Sequence, residues 1–278
     1  ERPEEPWFLF ALYIDPHDPY LPHEDFWFGP PREEEFHEGS REHLARMDVS
    51  NQKYRADRKT IRDLYDGGIA YVDSRLGELF RTLDDEGLAD DTVVMITSDH
   101  GEGLWDHLEH RAHGQFLYEE LVRVPLMVRW PGRSIAHTRV ADPVQAFGLF
   151  GALADGFDLP VRHQAPSLLS YLDGTAPQEK IFMENVSERA AFRAWVDWPR
   201  KLIFNDTTGR GEKYNLERNP GEEIRPRTRR KLPTEFLTAM DSVSAVNAEW
   251  RAGVEFVGEM PQPSEEEIEA LRALGYIE

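Results

Sequence analysis

The chain of 278 residues contains no cysteine. This absence excludes disulfide bonds, thiolate metal ligands and a cysteine nucleophile within the chain. No apolar run approaches the roughly 20 residues that a transmembrane helix needs, so we expect no membrane insertion. Lysine is also scarce, because six of the 32 basic residues are lysines and the other 26 are arginines.

Acidic residues outnumber basic ones by 52 to 32, which gives a formal net charge of −20. Such a surface repels nucleic-acid phosphates and anionic lipids, so neither is an expected partner, and an anionic substrate would need a local cation to enter. Many carboxylates with few lysines suit either a salt-rich environment or an arginine-rich codon usage. The sequence predicts a soluble protein, cytoplasmic or exported, and leaves its oligomeric state open.

The first half of the chain reads as alternating strands and helix. Residues 7–14, WFLFALYI, form a continuous apolar run typical of a strand buried on both faces. Apolar residues at steps of three and four predict a long helix over 53–86, with Gly67-Gly68 packed closely against a neighbour and Gly87 as its C-terminal cap. Two more buried strands are predicted at 92–97 and 124–130, and strand, helix, strand is the pattern of parallel α/β units.

The pattern changes after about residue 176. Four short runs separated by turn residues predict a small antiparallel meander, and the capping box at 264–267 predicts a last helix. The expected division is a core portion over 1–175 and an antiparallel-sheet subdomain with a terminal helix over 176–278.

The residues most able to support chemistry follow the second predicted strand. Four of the ten histidines lie between positions 100 and 113. Asp99 and His100 offer a carboxylate oxygen and an imidazole nitrogen from a rigid support, and both are ligands for divalent cations. A surface loop that happens to be rich in histidine explains the same residues. Asp106 and His107, with Glu109 and His110, either support the metal ligands from behind or form a solvated loop, and the solvated loop is the favoured interpretation.

His17 lies in the turn that follows the first predicted strand, between Asp15-Pro16 and Asp18-Pro19. A histidine in a loop is either a hydrogen-bonded structural residue or a catalytic one. Its closeness to Asp99 depends on the two strands being near neighbours in the sheet.

Several segments together resemble the type I sulfatases of the alkaline phosphatase superfamily. These are TSDHGE at 97–102, His113-Gly114, LYEELVRVPL at 117–126, FLFALYIDPHDPY at 8–20 and KYNLE at 213–217. The resemblance runs from about residue 6 to the end of the chain. It implies an α/β fold with a large mixed sheet flanked by helices and a small C-terminal antiparallel subdomain.

The resemblance also implies roles for four residues. Asp99 and His100 would be two ligands of one divalent metal ion, with Ca²⁺, Mn²⁺ and Zn²⁺ left open. His17 would contact the sulfate group or the leaving-group oxygen, and His113 would replace the cationic residue that holds the sulfate. The implied substrate is a small anionic sulfate ester.

Two parts of the family pattern are absent from this sequence. The family's nucleophile is a formylglycine made from Cys or Ser in a Cys/Ser-x-Pro-x-Arg motif, and an Asp-Asp metal pair lies even earlier; neither occurs here. We expect that the chain begins partway through a longer protein that carries both, the alternative being a chain that never had the nucleophile. The 278-residue chain alone is therefore expected to be inactive as a sulfatase.

Three functions stay open on this basis. The first is a sulfatase, or its C-terminal portion. The second is a phosphate or phosphonate ester hydrolase, or a phosphotransferase, of the same superfamily. The third is a catalytically dead relative that serves as a binding module.

Overall fold

The computed structural model describes residues 6–29, 55–107, 113–114, 116–132, 139–161, 166–172, 174–176, 180–186, 191–223, 232, 234–253, 265 and 268. The chain divides into two compact units, one of Glu1–Asp91 with Arg251–Glu278 and one of Thr92–Trp250. The helices are α1 (Arg55–Asp85), α2 (Glu119–Val122), α3 (Gly148–Gly156), α4 (Leu168–Leu172) and α5 (Thr234–Gly253). The strands are β1 (Val94–Thr97), β2 (Leu126–Arg129), β3 (Ile181–Val186), β4 (Ala191–Asp197), β5 (Arg200–Asn205) and β6 (Arg210–Asn215).

The long helix α1 dominates the first unit and confirms the helix predicted over 53–86. Ile61, Leu64 and Leu83 lie on its apolar stripe and are buried. Gly87 follows the last helical residue, Asp85, and its φ of +68° lies in the left-handed region that glycine adopts without strain. There Leu88 N–H donates to the Leu83 carbonyl at 2.8 Å, so a backbone group of the last turn is satisfied.

The glycine pair of α1 lies where the helix meets the preceding chain. A Cβ on Gly67 would come within 2.7 Å of the Phe26 carbonyl oxygen, and one on Gly68 within 2.9 Å of the Asp15 carbonyl oxygen. The predicted close packing is therefore confirmed, and it holds the segment around residue 15 against the helix.

The prediction of a buried strand over residues 7–14 is wrong for the described chain. These residues are irregular, and Phe8 and Phe10 are 80% and 76% exposed. A strand buried on both faces needs paired neighbours and covering layers. The described residues of the first unit include no strand that could pair with it.

The second unit begins with a two-stranded sheet in which β1 and β2 run antiparallel, from Val94 opposite Arg129 to Thr97 opposite Leu126. Both predicted strands are therefore present but shorter, and the predicted parallel pairing is not found among the described residues. Because the pair is antiparallel, the end of β1 lies beside the start of β2. Thr97 Oγ1 donates to the Pro125 carbonyl oxygen at 3.0 Å, which ties together both ends of the connection over 98–125.

The C-terminal meander is confirmed as four antiparallel strands in the order β3-β4-β5-β6. Its core is formed by Phe192, Ala194, Val196, Ile203 and Tyr214, with Leu117 and Leu216. Leu117 brings the segment before α2 into this core, so the meander supports the connection that follows β1. The domain boundary near 176 stays a prediction, and the last helix lies almost wholly outside the described residues.

Among the described residues, no helix combines the length and the apolar character needed to cross a membrane.

Candidate functional site

The turn after β1 presents Asp99 and His100 side by side. Ser98 Oγ donates to the His100 carbonyl oxygen at 2.6 Å, and the His100 N–H donates to Asp99 Oδ1 at 2.9 Å. These local hydrogen bonds hold the backbone in a tight turn and fix the Asp99 carboxylate beside the histidine. Asp99 remains 72% exposed and His100 36% exposed, so both can reach a ligand.

The His100 ring is oriented by its own backbone. Nδ1 lies 2.8 Å from the Gly101 carbonyl oxygen, and because a carbonyl only accepts, Nδ1 carries the proton. Nε2 therefore faces Asp99 Oδ2, 3.6 Å away. A carboxylate oxygen and an imidazole nitrogen so close together can bind the same divalent ion, and a ring hydrogen-bonded to a carbonyl is the usual form of a metal-bound histidine.

His113 lies against His100. The two rings stack with centroids 4.1 Å apart and planes inclined by 28°. Glu102, which is nearly buried, places Oε1 3.5 Å from His113 Nδ1. Three of the four residues singled out in the sequence, Asp99, His100 and His113, therefore lie together. Glu102, noted in the sequence only as the last residue of the TSDHGE motif, joins them.

His17 belongs to the first unit, and its closeness to Asp99 stays a prediction. Its Nδ1 donates to the Asp18 carbonyl oxygen at 2.6 Å and lies 3.3 Å from Asp18 Oδ1. The His17 N–H donates to the Ile14 carbonyl at 2.8 Å, which closes the turn. The carbonyl and the carboxylate of Asp18 thus both contact the His17 ring.

A second polar cluster, called here the Lys201 network, lies next to this turn within the same unit. Its members are His107, Glu119, Glu120, Lys201 and Glu222. Lys201 is fully buried on β5, with Nζ 2.8 Å from Glu119 Oε1 and 3.1 Å from Glu222 Oε1. The solvated interpretation of His107 is wrong, because its ring stacks on Tyr118 with centroids 3.8 Å apart.

The His107 ring is surrounded by acceptors. Nδ1 lies 2.7 Å from Glu120 Oε1, and Nε2 lies 3.2 Å from the Glu222 carbonyl oxygen. Because neither partner donates, the ring satisfies both only when both nitrogens are protonated. Burial opposes that charge, but Glu120 and Glu222 together outweigh it and raise the pKa of His107 above its ordinary value.

Glu222 is the most buried carboxylate of this network. Burial raises the pKa of Glu222, while the Lys201 ammonium acts in the opposite direction. Ligand atoms of His107, Glu120 and Glu222 lie within 4.8 Å of one another, a spacing that could hold a metal ion. A fixed ammonium already neutralises Glu222, so the described geometry favours an ion-pair network at this place.

Comparison with known proteins places these residues in a defined family context. The family model described as Sulfatase matches residues 1–158. Choline-sulfatase of Rhizobium meliloti is 28% identical over 215 residues, which cover 68% of this chain and 40% of that protein. Arylsulfatase K of Mus musculus is 32% identical over 126 residues, which cover 45% of this chain and 22% of that protein. The chain thus spans less than half the length of these curated relatives.

Solved structures show the same fold at low sequence identity. A 2-O GAG sulfatase matches with a TM-score of 0.53 and 18% identity, covering 85% of this chain and 47% of that one. An enzyme solved with its substrate D-glucosamine-2-N,6-O-disulfate matches with a TM-score of 0.53 and 18% identity, covering 76% of this chain and 44% of that one. Phosphonate monoester hydrolase from Silicibacter pomeroyi matches with a TM-score of 0.50 and 22% identity, covering 71% and 41%. These matches confirm the predicted alkaline-phosphatase-like α/β fold.

Proposed function

Because the chain belongs to the sulfatase family, we propose that it supplies part of the active site of a metal-dependent enzyme that hydrolyses small sulfate esters. The observation that carries this proposal is the cluster of Asp99, His100 and His113 at the end of β1. It lies within the residues that the family model matches, and it combines two metal-ligand types with a third ionisable group.

The donor set fits a divalent cation. Asp99 would contribute a carboxylate oxygen and His100 its Nε2, while the Gly101 carbonyl keeps the His100 proton on Nδ1. A mixed oxygen and nitrogen pair suits Mn²⁺ or Zn²⁺ better than Ca²⁺. When bound, such an ion would supply Lewis-acid stabilisation of charge on the sulfate oxygens.

His113 is proposed to bind the sulfate group. Its ring stacks on His100, so an anion next to the metal would lie within reach of its nitrogens. The Glu102 carboxylate places Oε1 3.5 Å from His113 Nδ1. In a chain with a net charge of −20, the bound metal ion would provide part of the local positive potential that admits an anion.

Protonation of the departing alcohol oxygen is proposed for His17 or His113. Imidazole suits this task because its ordinary pKa lies near neutral pH. The nucleophile expected for the family is a formylglycine, and this chain contains neither a cysteine nor a Ser-x-Pro-x-Arg motif from which to make it. We therefore expect no turnover of sulfate esters by the 278-residue chain alone.

A phosphate or phosphonate ester hydrolase is the second candidate function. It is favoured by the similarity in fold to the phosphonate monoester hydrolase. The same metal and imidazole groups would stabilise a phosphoryl as well as a sulfuryl group.

The test compares aryl sulfate, aryl phosphate and aryl phosphonate hydrolysis by the complete product of the gene that encodes this chain. We expect the sulfate ester to be turned over fastest, and Asp99→Ala to abolish both turnover and binding of Mn²⁺. The matched control is Asp90→Ala, which removes an exposed carboxylate just before β1 and should change neither. Full turnover by Asp99→Ala would refute the metal assignment, and a preference for the phosphonate would establish the second candidate.

A further inference from the structure

Helix α2 packs directly against the turn that carries Asp99. The Gly101 N–H donates to the Leu121 carbonyl oxygen at 2.8 Å, and a Cβ on Gly101 would overlap the Glu120 carbonyl oxygen. The backbone that carries Asp99 and His100 therefore rests directly on α2 with no side chain between them. Any movement of α2 is passed to the proposed metal ligands.

Helix α2 cannot hold its own position. It has four residues, and the preceding residue Tyr118 makes no side-chain cap. So short a helix is unstable by itself, because the cost of nucleation is not repaid within a single turn. Its place must be fixed by contacts from outside the helix.

Those contacts come from the meander. The Glu222 carboxylate, which follows β6, accepts the N–H of Glu119 at 2.8 Å and so replaces the missing cap. Lys201, fully buried on β5, donates to Glu119 Oε1 at 2.8 Å and lies 3.1 Å from Glu222 Oε1. One buried ammonium thus joins the helix to the strand that supports it.

The segment that follows the Asp99 turn is also anchored to the Lys201 network, through the side chain of His107. His107 bonds to Glu120 on α2 and to the backbone of Glu222. The stretch from Asp99 to His107 is therefore anchored at Gly101 through the backbone of α2 and at His107 through its side chain.

We propose that Lys201 is a positioning residue, which holds α2 through Glu119 and Glu222 and thereby sets Asp99 and His100 in place to bind the metal. The inference rests on the proposed function for the role of Asp99 and His100. The placement of the turn by Lys201 can be measured without any metal.

The test is hydrogen exchange of the whole chain, read over residues 97–107. Lys201→Met approximately keeps the length of the side chain and removes the ammonium. We expect exchange of this stretch to become at least about tenfold faster, because the free energy of one charge-assisted hydrogen bond in a buried site corresponds to at least that factor in the opening equilibrium. The matched control is Arg193→Met, which removes the ion pairs of β4 with Asp206 and Asp241. It should leave exchange over 97–107 unchanged. If Lys201 only stabilised the meander, Lys201→Met would exchange faster in β4 to β6 but not over residues 97–107, and the proposal would be wrong.

A second variant covers the case in which Lys201→Met does not fold. Lys201→Met with Glu222→Gln removes one ammonium and one carboxylate together, and the Gln amide oxygen can still accept the Glu119 N–H. This variant should also exchange faster than the wild type over 97–107. Wild-type exchange in whichever of the two variants folds would overturn the proposal.

Binding of Mn²⁺ by the complete product of the gene that encodes this chain, followed by the loss of the free-ion EPR signal, separates this proposal from the proposed function. We expect Lys201→Met to bind the ion about tenfold more weakly, as is typical when a residue behind a metal ligand is lost, and Arg193→Met to bind as the wild type does. If Asp99→Ala and the wild type bind equally while Lys201→Met loosens the turn, the metal assignment is wrong and the positioning role stands. If Asp99→Ala loses the ion and Lys201→Met binds it as tightly as the wild type, the positioning of metal ligands by Lys201 is refuted.

Discussion

At the scale of single residues, His107 shows how a buried imidazole acquires its charge. Its two nitrogens face the Glu120 carboxylate and the Glu222 carbonyl, and its ring lies on Tyr118. Burial disfavours the cation, yet the carboxylate and the second acceptor favour it more strongly and raise the pKa of His107. The sign of this shift decides the pH range in which the residue stabilises the fold.

A pH-dependent contribution to stability follows from that sign. The folded pKa of His107 lies above its ordinary value of 6.5, so the stabilisation by His107 is fully present below about pH 6.5 and is lost as the pH rises through the folded pKa. We expect His107→Gln to lower the free energy of unfolding by about 1–2 kcal/mol at pH 6, with a smaller difference at pH 9. Urea unfolding at several pH values measures this difference.

The control for this prediction removes the partner instead of the ring. Glu120→Gln should eliminate the same pH-dependent portion, because the imidazolium then has no carboxylate beside it. A difference between wild type and His107→Gln that stayed constant from pH 6 to pH 9 would contradict the prediction.

At the scale of elements, α1 contains glycines in two different settings. Gly67 contacts the carbonyl of Phe26, whereas a Cβ on Gly77 would meet nothing within 4 Å. Glycine costs helix propensity at both positions, but only at Gly67 does the missing side chain permit close packing.

The two glycines therefore respond oppositely to alanine. Gly77→Ala should raise the free energy of unfolding by up to about 1 kcal/mol through helix propensity alone. Gly67→Ala should lower it by about 1–3 kcal/mol, because the added methyl lies 2.7 Å from a backbone oxygen that cannot rotate away. Chemical denaturation of both variants checks the pair, and equal effects would show that α1 does not pack on the segment around Phe26.

The elements also show where sequence reasoning works. The period of α1 and the turn residues of the meander are local signals, and both predicted the structure. The Asp99 turn also depends on local interactions, because its hydrogen bonds join residues 98 to 100. The Lys201 network was not predictable, since Lys201 contacts Glu119 across 82 positions and His107 contacts Glu222 across 115. The strand predicted over residues 7–14 is wrong for a related reason. The composition of this run is that of a buried strand, but burial also requires neighbouring strands and covering layers, which a local run cannot supply.

At the scale of the whole molecule, the charge balance is the property that the sequence alone defines. Carboxylates exceed cations by 20, and the buried ion pairs of the second unit use only a few of them. The remaining negative groups repel one another more strongly in the folded chain than in the expanded unfolded chain, so the charge destabilises the fold. Salt screens this repulsion, since the Debye length falls from about 10 Å at 0.1 M to about 3 Å at 1 M.

We therefore expect the midpoint of thermal unfolding at pH 7 to rise as KCl increases from about 0.1 M to about 1 M, because most of the screening change occurs over this range. The control is the same titration near the isoelectric point of about 4.9, where the net charge vanishes and the rise should be much smaller. An equal rise at both pH values would identify a general effect of salt on apolar hydration instead of charge screening. A fall at pH 7 would mean that the buried pairs, and not the excess of carboxylates, dominate the electrostatic free energy of this chain.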